Sequence, residues 1–516
     1  MVNQHFRLRM PIRVFCILTL LLAPLRSQSL AAAATAAPDI ARVDAFVREQ
    51  VERHGLPGLA LALVDGDRVV HMAGYGKADQ TGRAVAPQTP FVLASASKPI
   101  TALAVMRLVE SGAVDLDAPV QRYLPSFRVA DPVASRQITV RHLLQHTSGI
   151  PEQGCQNSRL GAATLEQFVA ALQTIELDAP PGARHIYCSG NYNVLGRVIE
   201  VVSSQSYASY VDQHIFAPLR MRHSFTSEQA ARRDGLAQGY HWLFGAAVPA
   251  DYPYDAAQAP SGFLIASAED LAHLLIAQLN GGRYGAASVL SPQGIAAMQA
   301  PGAAVGESGE TYGLGWRRGL LGGVPAVFHA GDHPNAHTFV FVEPQARRGA
   351  VLLTNSQTML AQFGVYKQIE HGVARLLAGQ EPTPASTSLP RLYLIVDAVL
   401  GGSLALALWP LLRIRRWERH LRQAAGRPRR WRLGLRLGWE FGAPLILLAG
   451  GRLLLHMLGA QSWAEGFLLF PDVGAWLWTI SLVMALTGIT RLVLVRRLPR
   501  RRGQAQSVPF PRTAME

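Results

Sequence analysis

Cysteine is scarce in this chain, with three in 516 residues. Cys16 lies in an apolar N-terminal run. Cys155 and Cys188 remain, and two thiols define no disulfide framework, although an exported chain could pair them. Recognised metal-ligand spacings are also missing. His333 and His337 with Asp332 share one short stretch that matches no zinc pattern. Neither a metal nor another cofactor is expected. There is no internal repeat. Acidic residues are absent from residues 1–37, which carry four Arg. A basic excess is absent from the middle of the chain. The net charge of +14 divides into +4 over residues 1–37, −3 over 38–390 and +13 over 391–516. The positive charge therefore flanks apolar segments and leaves the central body near neutral. That distribution argues for membrane topology and against a nucleic-acid partner.

The length allows two to four domains and a large core. Residues 1–37 read as a signal peptide. Arg7, Arg9 and Arg13 precede an apolar run, Val14 to Leu25, and AAAATAA then offers cleavage sites. Residues 38–380 form the body. Residues 381–391 contain the Pro/Ser/Thr linker EPTPASTSLP. Residues 392–412 are long and apolar enough to span a bilayer. Residues 413–436 contain ten Arg and read as a cytoplasmic loop. Residues 439–458 make a poorer span, because Glu440, Arg452 and His456 interrupt it. Residues 473–495 make a good span, with Arg491 near its end placed to snorkel. A basic tail covers 496–516. Three crossings put both Arg-rich pieces in the cytoplasm and the body outside, in agreement with the signal peptide. The expected location is the inner membrane, with an extracytoplasmic body. The charged residues within the spans are expected to serve interface anchoring or helix pairing.

Within the body, Ile40 to His54 has helical spacing. Gly58 to Val64 and Arg68 to Gly76 are β-like runs around Asp65-Gly66-Asp67, a hairpin signal. Helices are expected over Leu165 to Leu172, from about Asn193 to Ser203, after a capping box at Ser267 to Asp270, and from about Met359 to Leu377. Tyr312 to Trp316, Ala326 to Phe328, His337 to Val342 and Ala350 to Thr354 are β-like. Strands at both ends with helices between imply an α+β fold. An antiparallel sheet is flanked by helices and carries a helical subdomain.

The chain's chemistry centres on Phe91 to Gly112, FVLASASKPITALAVMRLVESG. Ser95 and Lys98 sit three residues apart at the mouth of a helix that is apolar almost all round, and such a helix is buried. Pro99 is tolerated in the first turn and Gly112 suits the stop. Spacing i, i+3 puts the hydroxyl and the amine on one face. Ser-x-x-Lys is the arrangement in which a serine attacks a carbonyl and a lysine helps to remove its proton.

Further motifs follow in order: LLQHTSG at Leu143 to Gly149; Tyr187-Cys188-Ser189 before Asn191-Tyr192-Asn193-Val194-Leu195-Gly196; Tyr312-Gly313-Leu314-Gly315-Trp316; and His329-Ala330-Gly331 before a strand pair ending in LLTN. With Ser95-Ala96-Ser97-Lys98, residues 40–378 resemble the serine β-lactamase and penicillin-binding family, in particular its class C-like branch with esterase and D-peptidase members. The resemblance implies a β-lactamase/transpeptidase-like fold and an acyl-enzyme on Ser95. Lys98 and Tyr187 would act as base partners. A neighbouring ammonium favours the phenolate form of a tyrosine, so a Lys–Tyr pair makes chemical sense. The amides of Ser95 and Asp332 would hold the oxyanion. Ser189, His329, Gly331 and Asp332 would contact substrate. Two departures from the family pattern stand out. Ser189 replaces an asparagine amide, and His329 replaces the lysine of Lys-Thr-Gly, so a fixed positive charge becomes a mostly neutral imidazole. His146 in HTSG reads as a turn organiser. The implied activity is hydrolysis of a small-molecule or peptide amide or ester. The alternatives are a β-lactamase or D-Ala-D-Ala carboxypeptidase, and a non-catalytic sensor.

Overall fold

A computed structural model of the chain describes residues 38–154, 161–384, 387–423, 430–457 and 462–497. The expected signal peptide, most of the basic tail and Cys155 lie outside the described residues.

An eight-stranded sheet organises the body. Its strands are β1 (Gly58–Asp65), β2 (Arg68–Gly76), β3 (Ala303–Ala304), β4 (Thr311–Tyr312), β5 (Arg317–Leu321), β6 (Val324–His333), β7 (Ala336–Glu343) and β8 (Arg348–Thr354). The order is β2-β1-β8-β7-β6-β5-β4-β3, and every neighbouring pair is antiparallel. The expected hairpin forms, with Gly66 at φ +63° in its turn. The N-terminal hairpin is joined to the C-terminal strand β8, with Leu61 opposite Leu352.

The eight principal helices are α1 (Ile40–His54), α2 (Lys98–Glu110), α3 (Gly190–Ser203), α4 (Ala268–Leu279), α5 (Tyr366–Leu377), α6 (Leu389–Leu412), α7 (Arg430–Met457) and α8 (Pro471–Arg496). Strand β1, GLALALVD, is buried along nearly its whole length because both faces of the sheet are covered. Ala60, Ala62 and Val64 face one core with α2, α3 and α4. Leu59, Leu61 and Leu63 face another with α1 and α5. Alternation along the strands thus creates three layers, with α2 deep in the first core.

Local signals place most helix ends. Asp39 accepts the Arg42 amide at 3.1 Å, and Ser267 accepts the Asp270 amide at 3.1 Å. Such caps satisfy otherwise orphaned donors. Helix α3 starts at Gly190, three residues before the expected Asn193. Gly-Asn-Tyr has weak helix propensity, but tertiary bonds hold it. The Tyr192 hydroxyl donates to the Leu144 carbonyl at 2.9 Å, and the Asn191 side chain accepts from Ser148 Oγ at 2.8 Å.

Among the described residues, three helical stretches are long and apolar enough to cross a membrane: Leu389–Gln423, Gly434–Met457 and Pro471–Arg496. They expose large apolar side chains such as Leu394, Leu406, Leu445 and Leu482. Such a surface suggests membrane association, since hydrocarbon can cover it where water would not. The Arg-rich stretch expected to be a loop is helical over Ile414–Gln423, and α7 already begins at Arg430. Arg491 does not snorkel. It turns inward and forms a buried ion pair with Glu440 of α7, with its guanidinium 5.3 Å from the Trp417 ring. A buried charge is tolerated where a partner neutralises it, and this pair ties α7 to α8.

The body docks on these helices. Tyr393 of α6 stacks on Trp242, with centroids 5.8 Å apart, and its hydroxyl lies 2.8 Å from Thr358 Oγ1. The Phe244 amide donates to Asp472 at 2.8 Å. The Leu389 amide donates to His54 Nδ1 at 3.2 Å. Burial lowers the His54 pKa to about 4, which keeps this acceptor neutral.

Candidate active site

Ser95 sits in the tight turn Ala94–Ser97 that opens α2. Ala94, immediately before it, has φ +46°. A non-glycine residue in that region is strained and persists only where its surroundings enforce it. The Leu93 amide bonds to the Leu264 carbonyl at 2.9 Å and pins the entry to the turn. Gly331 of β6 presses on the same turn from the other side. A Cβ at Gly331 would stand 2.2 Å from the Leu93 carbonyl oxygen and 2.9 Å from the Ser95 amide nitrogen.

Lys98 is fully buried. Its Nζ donates to Ser95 Oγ at 2.9 Å and to the Ser261 carbonyl at 2.7 Å, and lies 3.4 Å from Ser189 Oγ. The Tyr187 hydroxyl donates to Ser95 Oγ at 2.8 Å. The Lys98 amine also lies 5.0 Å from the centre of the Tyr187 ring. The structure thus gathers the three residues read from the sequence as nucleophile and base partners. Tyr187 arrives from the loop before α3, and His146 braces it. The His146 ring stands 4.4 Å from the Tyr187 ring. His146 Nδ1 accepts the Cys188 amide at 3.2 Å, in the turn-organising position expected of it. Burial, with Lys98 nearby, drives its pKa well down, so the ring is neutral. Cys188 is disulfide-bonded.

A cavity of about 620 Å³ opens over the cluster. Ser95, Tyr187, Ser189, His329, Ala330 and Asp332 are among the residues that line it. Both His329 nitrogens are engaged. Nε2 lies 2.9 Å from the Tyr312 hydroxyl, and Nδ1 lies 2.7 Å from the Ala330 carbonyl. Burial and Lys98 hold it well below the usual imidazole pKa, and therefore uncharged. The Asp332 carboxylate is held by His337 at 2.8 Å, by Gln357, and by Gln362 at 3.1 Å. Among the described residues no group of His, Cys, Asp and Glu could hold a metal ion.

Glu152 was not legible as a site residue. It lies just past His146-Thr147-Ser148-Gly149-Ile150-Pro151, where an acid resembles any solvated loop residue. In the structure it lines the cavity. It accepts the Ser189 amide at 2.6 Å and the Ser189 hydroxyl at 3.0 Å. Burial raises its pKa, and Lys98 opposes the rise.

His337 forms a second buried cluster. Its Nδ1 meets Asp332, its Nε2 lies 2.9 Å from Glu370, and its ring stacks on Tyr366 at 4.2 Å. Burial pulls its pKa down, but the two carboxylates prevail and raise it from 6.5 to about 9. The folded protein therefore holds this proton more tightly than the unfolded chain. The stabilisation is full below about pH 6.5, declines above it and is gone beyond about pH 9, a contribution of roughly 3 kcal/mol. Melting temperatures of the wild type and His337→Gln are expected to differ most near pH 6 and to converge by pH 9.5. A gap that stays constant with pH would contradict the charged state.

Fold and cluster together define a domain of the β-lactamase and penicillin-binding type. A family model described as Beta-lactamase matches residues 43–370, more than half of the chain, and the protein belongs to that family. It is 28% identical over 340 residues to "Protein flp" of Staphylococcus aureus (strain MW2), covering 64% of this chain and 65% of that protein. It therefore spans just under two thirds of that relative's length. Among solved structures it resembles the octameric penicillin-binding protein homologue from Pyrococcus abyssi, with TM-score 0.60 and 27% identity over 70% of this chain and 82% of that one. It also resembles EstCE1, described as a hydrolase with promiscuous acyltransferase activity, with TM-score 0.57 and 25% identity over 66% of this chain and 98% of that one.

Proposed function

We propose that the protein is a membrane-anchored serine hydrolase that forms an acyl-enzyme on Ser95 with an amide, peptide or ester. The observation that carries this reading is the convergence on Ser95 Oγ of the Lys98 amine at 2.9 Å and the Tyr187 hydroxyl at 2.8 Å, under an open cavity. Ser95 Oγ attacks the carbonyl carbon, and its proton passes to the Lys98–Tyr187 pair. The carbonyl oxygen becomes an oxyanion held by the Ser95 and Asp332 amides. Collapse breaks the bond to the leaving amine or alcohol, which takes the proton from the pair. Water then attacks the acyl-enzyme and gives its proton to the same pair, and collapse breaks the bond to Ser95 Oγ, which takes that proton back as the acid is released.

Neutral His329 offers no fixed charge to a substrate carboxylate. Esters and amides without one are therefore favoured over β-lactams and D-Ala-D-Ala peptides. The three apolar helices among the described residues support anchoring, and the flanking arginines support an extracytoplasmic catalytic body.

The test is mass spectrometry of the full-length protein after treatment with a fluorophosphonate probe. A single adduct on Ser95 is expected, together with continued turnover of p-nitrophenyl esters and slow turnover of nitrocefin. No adduct would overturn the reading. One stoichiometric acylation without turnover would identify a sensor instead.

A further inference from the structure

Strand β5 accompanies β6 only as far as Phe328, opposite Arg317, while β6 runs on to His333. The end that carries Gly331 and Asp332 is held in the ladder by β7, where Asp332 stands opposite His337. A strand end paired on one side opens more easily than one paired on both. The proposed mechanism nevertheless asks the Asp332 amide to hold an oxyanion in a fixed place. The Asp332 side chain supplies an anchor. Its carboxylate accepts from His337 Nδ1 at 2.8 Å, from Gln357, and from Gln362 at 3.1 Å. His337 is backed in turn by Glu370 of α5 at 2.9 Å and stacked on Tyr366. Asp332 and Glu370 both line the Ser95 cavity, and His337 lies between them.

Charge acts in the same direction. An unneutralised carboxylate beside a forming oxyanion opposes it. The titratable groups packed on His337 are Asp332 from β6 and Glu370 and Tyr366 from α5, and β8 presents the uncharged Thr354 opposite it. Burial lowers the His337 pKa, and the two carboxylates more than reverse this, to about 9. At neutral pH the imidazolium therefore neutralises the acid that carries the oxyanion amide.

We propose that His337 is a positioning residue for acyl transfer, which fixes and neutralises the Asp332 carboxylate and through it sets the Asp332 amide for the oxyanion. This inference rests on the acyl-enzyme reading. A misplacement of about 1 Å can cost about 10²-fold even when its cause lies away from the reacting atoms.

The experiment measures the second-order rate of fluorophosphonate labelling of Ser95 between pH 6.5 and 10 in the full-length protein in detergent. Attack on this probe expels fluoride and develops charge on the phosphoryl oxygen, which needs the same amides. Circular dichroism at each pH verifies folding. His337→Gln is expected to label about 10²-fold more slowly than wild type at pH 7. The ratio of the two rates is expected to fall to about a tenth of that value by pH 10, because wild type then loses its own imidazolium charge. Taking the ratio cancels the titration of Lys98 and Tyr187, which both proteins share. With a p-nitrophenyl ester the loss is expected in kcat, with KM changed less than about 3-fold. Glu370→Gln, which keeps His337 and removes one of its two carboxylates, is expected to move the alkaline fall to a pH about 1 lower. A ratio near one at pH 7, or one that does not change with pH, would overturn the proposal and leave His337 with a role in stability alone. If His337→Gln does not fold, Glu370→Gln decides, and an unmoved alkaline fall overturns the proposal. Absence of Ser95 labelling in wild type would instead defeat the acyl-enzyme reading itself.

Discussion

Lys98→Ala is expected to lower kcat/KM toward a p-nitrophenyl ester by about 10⁴-fold, and to suppress fluorophosphonate labelling of Ser95 to the same degree. A serine hydroxyl is a poor nucleophile at neutral pH unless a neighbour takes its proton. Lys98 is fully buried and contacts Ser95 Oγ directly. Its removal takes away the charge that the cluster surrounds and leaves the Ser261 carbonyl without its 2.7 Å donor. Lys98→Arg is not a rescue. The planar guanidinium cannot reproduce a compact amine in a space with no exposure to solvent. Tyr187→Phe is the informative contrast. It keeps the ring beside Lys98 and against His146 and deletes only the hydroxyl 2.8 Å from Ser95. Its loss is expected to be smaller, about 10²-fold to 10³-fold. Retention of a tenth or more of wild-type activity by a folded Lys98→Ala would remove the lysine from the chemistry.

Gly331→Ala is the second large effect. Gly331 lies on β6 opposite Thr338 of β7, so its backbone is fixed by the ladder. The atoms a new Cβ would meet are the Leu93 carbonyl at 2.2 Å and the Ser95 and Ala96 amides at 2.9 Å. All three are backbone, and no side chain can rotate away. Strand and nucleophile turn must separate, and that gap would hold the oxyanion between the Ser95 and Asp332 amides. A shift near 1 Å costs about 10²-fold, and a lost oxyanion donor costs a similar factor. The expected loss is about 10³-fold or more in kcat/KM, with about 1–3 kcal/mol of overpacking visible as a lower melting temperature. Gly364→Ala is the control, because a Cβ there meets nothing within 4 Å. Equal effects at the two positions would refute the close approach.

Much of this architecture was readable from local patterns. The turn at Asp65-Gly66-Asp67, the cap at Ser267 and the apolar run after Lys98 act over a few residues, and each formed where expected. Gly190-Asn191-Tyr192 did not read as helix because its propensity is weak, and a bond from Tyr192 to the Leu144 carbonyl and one from Ser148 to Asn191 outweigh that. Arg491 read as a snorkelling residue, because nothing near it in the chain announces Glu440, 51 positions away. Glu152 drew no reading at all from the sequence, for the same reason. Its partner Ser189 is 37 positions distant.

The order of residues by itself settled the Ser95–Lys98 pair, the buried helix behind it and the three apolar stretches. Spacing along one helix and length of one segment are properties of neighbours, set by backbone periodicity. Tertiary structure alone brought Tyr187 to Ser95 across 92 positions, put Gly331 against the Ser95 amide and turned Glu152 into the cavity. Those meetings depend on sheet register and on how the first core packs around α2, and packing of that kind is decided by the whole chain at once.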